Sequence, residues 1–408
     1  MEIYNDYRGS LTSLKEIPYE VKEILISKNI PNVLRGLHMS PYRKRVYVLK
    51  GEIYDFYIDP YTKNKKEIII KQGEYVDIPA NWAHGFYSYN HSEIIYLLEG
   101  KFDPSIDKLI YWNDIDLGLY LNFNKTNLII SDKDKNALYF KKYDYIILGA
   151  NGFLGSYCVK ILKEQGYTVF ESNERFNNIS FIEEQILKSQ AKYLICAAGI
   201  SGKPTIDWCE HNEEETYKIN YLAIIDLMRL TNKLNIHCTI FGSGLIYNGN
   251  KEKYSENDKP DYINKVYSKW RIELEKHIHF YKNILYLRII YPASLDNNPK
   301  CFLTKMIGRS KNVHNINISM TIIPSLFPKI KDLCESNITG IFNFVNKGSI
   351  SLPELLLLYS KYKMYLDINI NSNCDSRGAY ELLTDKLNNI IDNEKINEAI
   401  VLYLSTPS

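Results

Sequence analysis

The pattern of apolar and polar positions changes character once along the chain. From about residue 30 to residue 130 the apolar residues come in short runs: "KRVYVLKG", "EIYDFYID", "KEIIIKQGEYVDIP", "HGFYSYN" and "SEIIYLLEG". These runs are rich in aromatic and β-branched side chains, and Gly, Pro, Asn and Asp separate them at hairpin spacing. Such runs predict strands, and with no long helical pattern among them they predict an antiparallel all-β barrel or jelly roll. From Tyr143 the rhythm is different. "YDYIILGA" predicts a buried strand, and "GFLGSYCVKILKEQG" has apolar residues at helical spacing with a closing Gly. "YTVFE" and "AKYLICAAG" predict further strands, "EETYKINYLAIIDLMRLTNKLN" a long amphipathic helix, and "IHCTIFGSG" another strand. Strands alternating with helices predict an α/β, doubly wound parallel sheet. "SDKDKNALYFKKYD" closes the first half, so the pattern predicts domains over 1–138 and 141–408.

Bulk properties narrow the function. A chain of 408 residues has room for two or three domains. A formal charge of +2 implies no basic surface for nucleic acid or anionic lipid. No apolar run approaches the roughly 20 residues of a membrane span, and the polar start "MEIYNDYRGS" reads as no signal peptide. Seven cysteines, dispersed from Cys158 onward without a C-x-x-C pair, read as free thiols of a reducing compartment, hence a cytoplasmic protein.

Candidate chemistry in the second half begins with "ILGANGFLG", which sets Gly149, Gly152 and Gly155 between a strand and a helix. Glycine allows the tight turn and the close backbone approach that a pyrophosphate on a helix N-terminus requires. "FGSGLIYNG" ends a strand with Ser243, expected to be exposed. "VYSKWRIELEKHI" then places Tyr267 and Arg271 four apart on one helix face, where a fixed cation stabilises a phenolate and eases proton transfer. Glu171, ending the second strand, suits a ribose hydroxyl and NADH, whereas Ser172 and Arg175 suit a 2′-phosphate. The balance is read as NADPH.

These residues, with "CAAGISGKPTIDWCE", "YSKWR", "NPKCFLTK", "ISMTIIPSL" and "ITGIFNFVNKGSIS", make the segment from about Tyr143 onward resemble extended short-chain dehydrogenase/reductases, and most closely the plant-type UDP-4-keto-6-deoxyglucose 3,5-epimerase/4-reductases. The resemblance implies a 4-keto reductase. Asn151, Phe153, Leu154, Ala197, Ala198 and Gly199 would join the three loop glycines, Tyr267 and Arg271 around the cofactor. It also assigns Cys209 and Lys305 to an acid–base pair for epimerisation within the reductase fold. By residue chemistry alone Cys209 is equally a small buried hydrophobe and Lys305 a solvated helix residue. One departure stands out: the family carries Lys where this chain has Arg271.

The first half holds His38 and Lys44 around a turn. With "VLRGLHMS", "IPANWAHGFYS", "EIIYLLEGKFDP" and "WNDIDLGLYL", the segment from Tyr4 to Leu138 resembles the dTDP-4-dehydrorhamnose 3,5-epimerases, which are metal-free cupins. The resemblance makes His38 the base, Asp134 its orienting carboxylate, Lys44 the cation facing the 4-keto oxygen, and Tyr96 the acid on the opposite face. His84 would support the oxyanion, and Arg8 and Arg35 would grip the nucleotide phosphates. The set is sound on chemical grounds: deprotonation beside a ketone needs a stabilised enolate, and inversion needs a base and an acid on opposite faces. Two histidines in such a barrel can instead bind metal. That set wants a close His pair plus a carboxylate, and His38 is followed by Met39 and Ser40, so no metal is expected.

The combined expectation is a bifunctional epimerase (carbon 3, carbon 5 or both) and 4-keto reductase. Its substrate would be a UDP-4-keto-6-deoxyhexose supplied by a separate 4,6-dehydratase, and its product UDP-L-rhamnose or the 2-acetamido analogue. A homodimer through the cupin is expected. Two other readings are a nucleotide-sensing protein with an inactive reductase fold, and a reductase whose barrel serves only for dimerisation.

Overall fold

The computed structural model describes residues 2–7, 9–13, 17, 19–172, 178–202, 205–294, 296, 298–371 and 378–405. Arg8, Arg175 and Cys374 lie outside the described residues. The chain divides into two compact units, Met1–Lys142 and Tyr143–Ser408. The predicted end at residue 138 falls a few residues short of this division. Phe140 N donates to the Asp114 carboxylate at 2.7 Å and Tyr139 packs on Tyr111, so both belong to the first unit.

In the first unit the alternating runs form β1 (Glu23–Asn29), β2 (Leu34–Met39), β3 (Lys44–Lys50), β4 (Glu52–Ile58), β5 (Lys65–Lys71), β6 (Tyr75–Ile78), β7 (Ala83–Ser88), β8 (Ser92–Leu98) and β9 (Lys108–Leu109). They build a four-stranded sheet, β1-β8-β3-β6, and a five-stranded sheet, β9-β2-β7-β4-β5. All of these pairings are antiparallel. Val46, Val48, Ile53, Tyr57, Phe86 and Ile94, drawn from both sheets, make one apolar cluster. Leu34, Leu37, Tyr54, Phe56 and Tyr87 make another with Trp112, Leu117 and Leu121 of the segment after β9. β4 is therefore buried on both faces.

β2 departs from regular pairing. Arg35 lies opposite Phe86 and His38 opposite His84, so β2 carries one residue more than β7 between these pairs, a β-bulge. Gly36 sits in it at φ +116°, and a Cβ there would stand 2.6 Å from the Gly85 Cα. After the strands, the short helix α1 (Asp132–Lys135) begins on Ser131, whose hydroxyl accepts from Asp134 N at 3.1 Å.

The second unit has a fully parallel six-stranded sheet of β10 (Tyr145–Leu148), β11 (Val169–Ser172), β12 (Tyr193–Cys196), β13 (His237–Ser243), β14 (Ile284–Ile289) and β15 (Gly340–Asn343), in the order β11-β10-β12-β13-β14-β15. The first strand lies inside and the chain winds outward on both sides of it, as the alternation predicts. Between the strands run α2 (Phe153–Glu164), α3 (Ile179–Ser189), α4 (Trp208–His211), α5 (Glu213–Tyr217), α6 (Ala223–Lys233) and α7 (Val266–Ile278); α8 (Phe302–Ile307) follows β14. The segment read as one helix around residue 220 is continuous but locally underwound, with a π turn at Lys218–Leu222 joining α5 to α6. Among the described residues no helix is long and apolar enough to cross a membrane, and six cysteines are buried free thiols.

Candidate active sites

In the first unit, residues of both sheets line a cavity of about 410 Å³. The five-stranded sheet contributes Arg35, His38 and His84; the four-stranded sheet contributes Lys44 and Tyr96. All five were singled out from the sequence.

His38 Nε2 lies 2.7 Å from Asp134 Oδ1, and the Gly36 amide reaches Asp134 Oδ2 at 3.4 Å. Burial alone would raise the Asp134 carboxyl, but the bonds from His38, Gly36 and Ser131 outweigh it and hold it below the usual carboxylate range. The carboxylate thus fixes the imidazole through Nε2, leaving Nδ1 as the nitrogen available to a ligand.

His84 Nε2 lies 2.8 Å from Asp55 Oδ2, both side chains being fully enclosed. Burial dominates and lowers His84 despite Asp55, which favours a neutral ring. Asp55 escaped the sequence reading. It stands on β4 two residues from Tyr57, the register partner of His84, and so shares the face of that histidine.

Lys44 is buried, and its Nζ donates to Ser40 Oγ at 3.5 Å. Burial pushes its ammonium down to about 8, against the opposing pull of Asp107 and Asp55. The Tyr96 phenol moves the other way: burial raises it, Asp55 raises it further, and Arg35 only partly opposes. Tyr96 therefore stays protonated at neutral pH. Arg35 is braced by Asn29, whose Oδ1 accepts from Nε at 3.0 Å.

In the second unit the loop after β10 turns through Gly149 at φ +74°, where a Cβ would stand 2.9 Å from the Ala198 amide nitrogen. A Cβ on Gly155 would meet the Gly149 carbonyl at 2.2 Å, so α2 packs directly on the loop. No side chain caps α2 at Gly152, and its first-turn amides are left for an anion. Phe153, Leu154 and Ala197 are half-buried against the core of the sheet.

Tyr267 and Arg271 share the inner face of α7, with the guanidinium carbon 5.4 Å from the phenol ring centroid. Arg271 reaches Asn220 Oδ1 at 3.4 Å and Phe241 O at 3.5 Å, while its buried Nε makes no hydrogen bond. Gly199 leaves room for this fork, since a Cβ there would sit 3.0 Å from the guanidinium. Asn220, on the π turn, also escaped the sequence reading. Its amide bonds both the N–H and the C=O of Ile200, at 2.9 and 2.7 Å, tying the loop after β12 to Arg271. Lys269, two residues before Arg271, is committed to Glu213 at 2.9 Å.

Two expectations need correction. Ser243 is buried, not exposed, because β13 is enclosed along its whole length. Its Oγ accepts from Leu245 N at 3.1 Å and keeps its own proton to donate. Ser172 is buried and its hydroxyl donates to Gln185 at 2.6 Å, so it does not present itself to a phosphate. Glu171 is engaged by Lys163 of α2.

Residues 1–142 match the family model described as dTDP-4-dehydrorhamnose 3,5-epimerase, and residues 144–321 match the RmlD substrate binding domain. Over 237 residues the chain is 30% identical to a bifunctional dTDP-4-dehydrorhamnose 3,5-epimerase/dTDP-4-dehydrorhamnose reductase of Arabidopsis thaliana, covering 56% of this chain and 78% of that protein. The crystal structure of the L780 UDP-rhamnose synthase of Acanthamoeba polyphaga mimivirus is 30% identical, with 65% of this chain and 99% of that chain covered at a TM-score of 0.60. The chain belongs to the nucleotide-rhamnose epimerase/reductase family. A dTDP-4-dehydrorhamnose reductase of Bacillus anthracis, solved in complex with NADP, shares the fold of the second unit at 20% identity and a TM-score of 0.57, covering 64% of this chain and 97% of that one.

Within this epimerase/reductase the positions of Cys209 and Lys305 differ in kind. Cys209 is enclosed on α4, and Glu210 beside it accepts from Val266 N at 3.1 Å, which sets α4 against the start of α7. Burial pushes the Cys209 thiol up. Lys305 is exposed on α8. No described contact joins the two. The second unit does fit a dinucleotide, on two observations: the uncapped start of α2 above the glycine turn, and the unpaired, buried Nε of Arg271 beside Tyr267.

Proposed function

We propose that the barrel epimerises a UDP-4-keto-6-deoxyhexose and the second unit reduces the 4-ketone, giving UDP-L-rhamnose or its 2-acetamido analogue. One observation supports this reading above the others: His38, held by Asp134 of α1, stands on one sheet of the barrel while Lys44 and Tyr96 stand on the other, around one cavity. His38 removes the proton beside the ketone at carbon 3, carbon 5 or both. The electrons move onto the carbonyl oxygen, where the Lys44 ammonium stabilises the enolate. The Tyr96 phenol, protonated at neutral pH, returns a proton from the opposite side and inverts the centre. Arg35, with Arg8, serves the diphosphate.

In the second unit a bound nicotinamide cofactor supplies the hydride to carbon 4. Tyr267 donates the proton to the ketone oxygen, Ser243 holds that oxygen through its own O–H, and Arg271 keeps the phenol polarised and faces the cofactor ribose. NADPH is the preferred cofactor, with NADH as the alternative. Lys163 of α2 already engages the Glu171 carboxylate, which supports that preference. The substrate comes from a separate 4,6-dehydratase, the two units fold independently, and the barrel carries the dimer contact. Epimerisation is assigned to the barrel over Cys209 and Lys305 because its acid, base and cation meet in one cavity. The test is product NMR from UDP- and dTDP-linked 4-keto sugars in heavy water, with and without NADPH. Solvent deuterium at carbon 3 or 5 without cofactor is expected, followed by an L-configured 6-deoxy sugar once NADPH is added. Absence of exchange from residues 1–142 expressed alone, with full exchange from 143–408, would move the epimerase to the second unit.

A further inference from the structure

Asp107 is the carboxylate among the residues lining the barrel cavity, and it has no part in the chemistry above. It follows the turn in which Ile106 N donates to Asp103 O at 3.2 Å, and it directly precedes β9. β9 pairs with β2 antiparallel, Lys108 opposite Met39 and Leu109 opposite His38. Carried one residue further, that register sets Asp107 across from Ser40, the hydrogen-bond partner of Lys44. Asp107 Oδ1 is buried and makes no hydrogen bond. A desolvated carboxylate oxygen without a partner is costly unless a cation neutralises it.

Other groups face Lys44 across the cavity: His84 from β7, His38 and Arg35 from β2, Tyr96 from β8, and Tyr42 from the turn before β3; Asp55 of β4, buried behind them, also acts on its charge. Asp134 is spent on His38 and Arg35 on Asn29, while Asp55 bonds His84 through Oδ2 and keeps a buried, unpaired Oδ1 behind the cavity wall. Asp107 is the carboxylate that lines the cavity itself. We propose that Asp107 is a positioning residue of the barrel site, the counter-charge that holds the Lys44 ammonium in place and protonated against the cavity. The proposal rests on the reading of the barrel as an epimerase. Asp107 also exerts the strongest of the charge effects that keep Lys44 from falling further, ahead of Asp55.

The experiment titrates Lys44 in the full-length chain by trace acetylation with acetic anhydride across a pH series, read by peptide mass spectrometry, beside deuterium exchange into the 4-keto sugar. Asp107→Asn should lower the Lys44 midpoint by at least about one pH unit, the usual effect of losing a close opposite charge. The alkaline fall in exchange should move down with it. Asp107→Glu keeps the charge and should leave both near their wild-type positions; a midpoint there as low as in Asp107→Asn overturns the proposal. It serves as the test if Asp107→Asn does not fold. An unmoved midpoint in folded Asp107→Asn also overturns the proposal. A midpoint that moves in a chain that never exchanges deuterium supports the pairing and overturns the epimerase reading instead.

Discussion

The two candidate sites are built on opposite plans. The barrel draws its working groups from two facing sheets, and each histidine arrives with its own carboxylate, at 2.7 Å for His38 and 2.8 Å for His84. The second unit draws its groups from the ends of parallel strands and from one face of α7, with the Arg271 Nε unpaired and no side-chain cap at the start of α2. The difference follows from what each chemistry needs. Proton transfer on both faces of a carbon needs only an acid, a base and a cation, which side chains provide. Reduction needs an outside donor of electrons, and the protein contributes a cradle for it.

The largest expected effect tests whether the plans are separable. Tyr267→Phe should lower reduction by roughly 10²–10⁴, the usual worth of a positioned proton donor, while deuterium exchange without cofactor continues. His38→Ala should do the reverse, ending exchange and inversion yet leaving reduction of an already inverted ketone. Loss of both activities in either single variant would show that the two sites are one.

Next in size is Lys44→Ala, expected to slow exchange and inversion together by about 10²–10³, as loss of an oxyanion donor does. In the proposed mechanism the ammonium is the working form, and burial pushes it down to about 8. Exchange should therefore fall as pH rises through about 8, while reduction, measured on the inverted ketone, should not follow the same limb. A pH-independent exchange rate across that range would remove Lys44 from the mechanism.

A smaller effect concerns stability. Gly36→Ala places a Cβ 2.6 Å from the Gly85 Cα at a positive φ, and should cost the barrel more than about 1 kcal/mol. Calorimetry should show the transition of the barrel lowered and that of the second unit unmoved; a single shifted transition would mean that the units do not fold independently. The smallest effect is expected for Arg271→Lys. It returns the family residue to a site where Gly199 and Asn220 already accommodate the larger fork, so reduction should hold or rise. A loss of tenfold or more would show that this site is built around arginine.

Most of this architecture was legible in the sequence because hydrophobic period and punctuation agree with the fold throughout: strands with turn residues first, then strands alternating with helices. The residues that escaped notice did so for physical reasons. Asp55 sits in "EIYDFYID", where an acid between aromatic residues reads as an outward position. Residues 110–130 cover the outer face of β4, so a period of two carries no information about which side is wet. Asn220 lay within a long amphipathic run, but it shares a buried stripe with Thr216, Ile224 and Leu227, all fully enclosed. A polar residue on an apolar stripe was the available signal. Ser243 was placed at a strand end, correctly, but its burial is set by tertiary packing that no local pattern reports.

The bulge in β2 has a consequence that side-chain substitution cannot reach. An ordinary strand spends every amide on its neighbours, but the additional residue leaves the Gly36 N–H out of the ladder, and this donor turns to Asp134 at 3.4 Å. The sheet thereby lends its main chain to the His38–Asp134 pair. Replacing residue 36 with any of the other amino acids except proline retains that N–H, so a mutational scan would report only the steric damage and miss the donor. An ester in place of this single peptide bond, introduced by semisynthesis, would delete the donor and spare every side chain. It would measure how much of the hold on His38 belongs to the backbone.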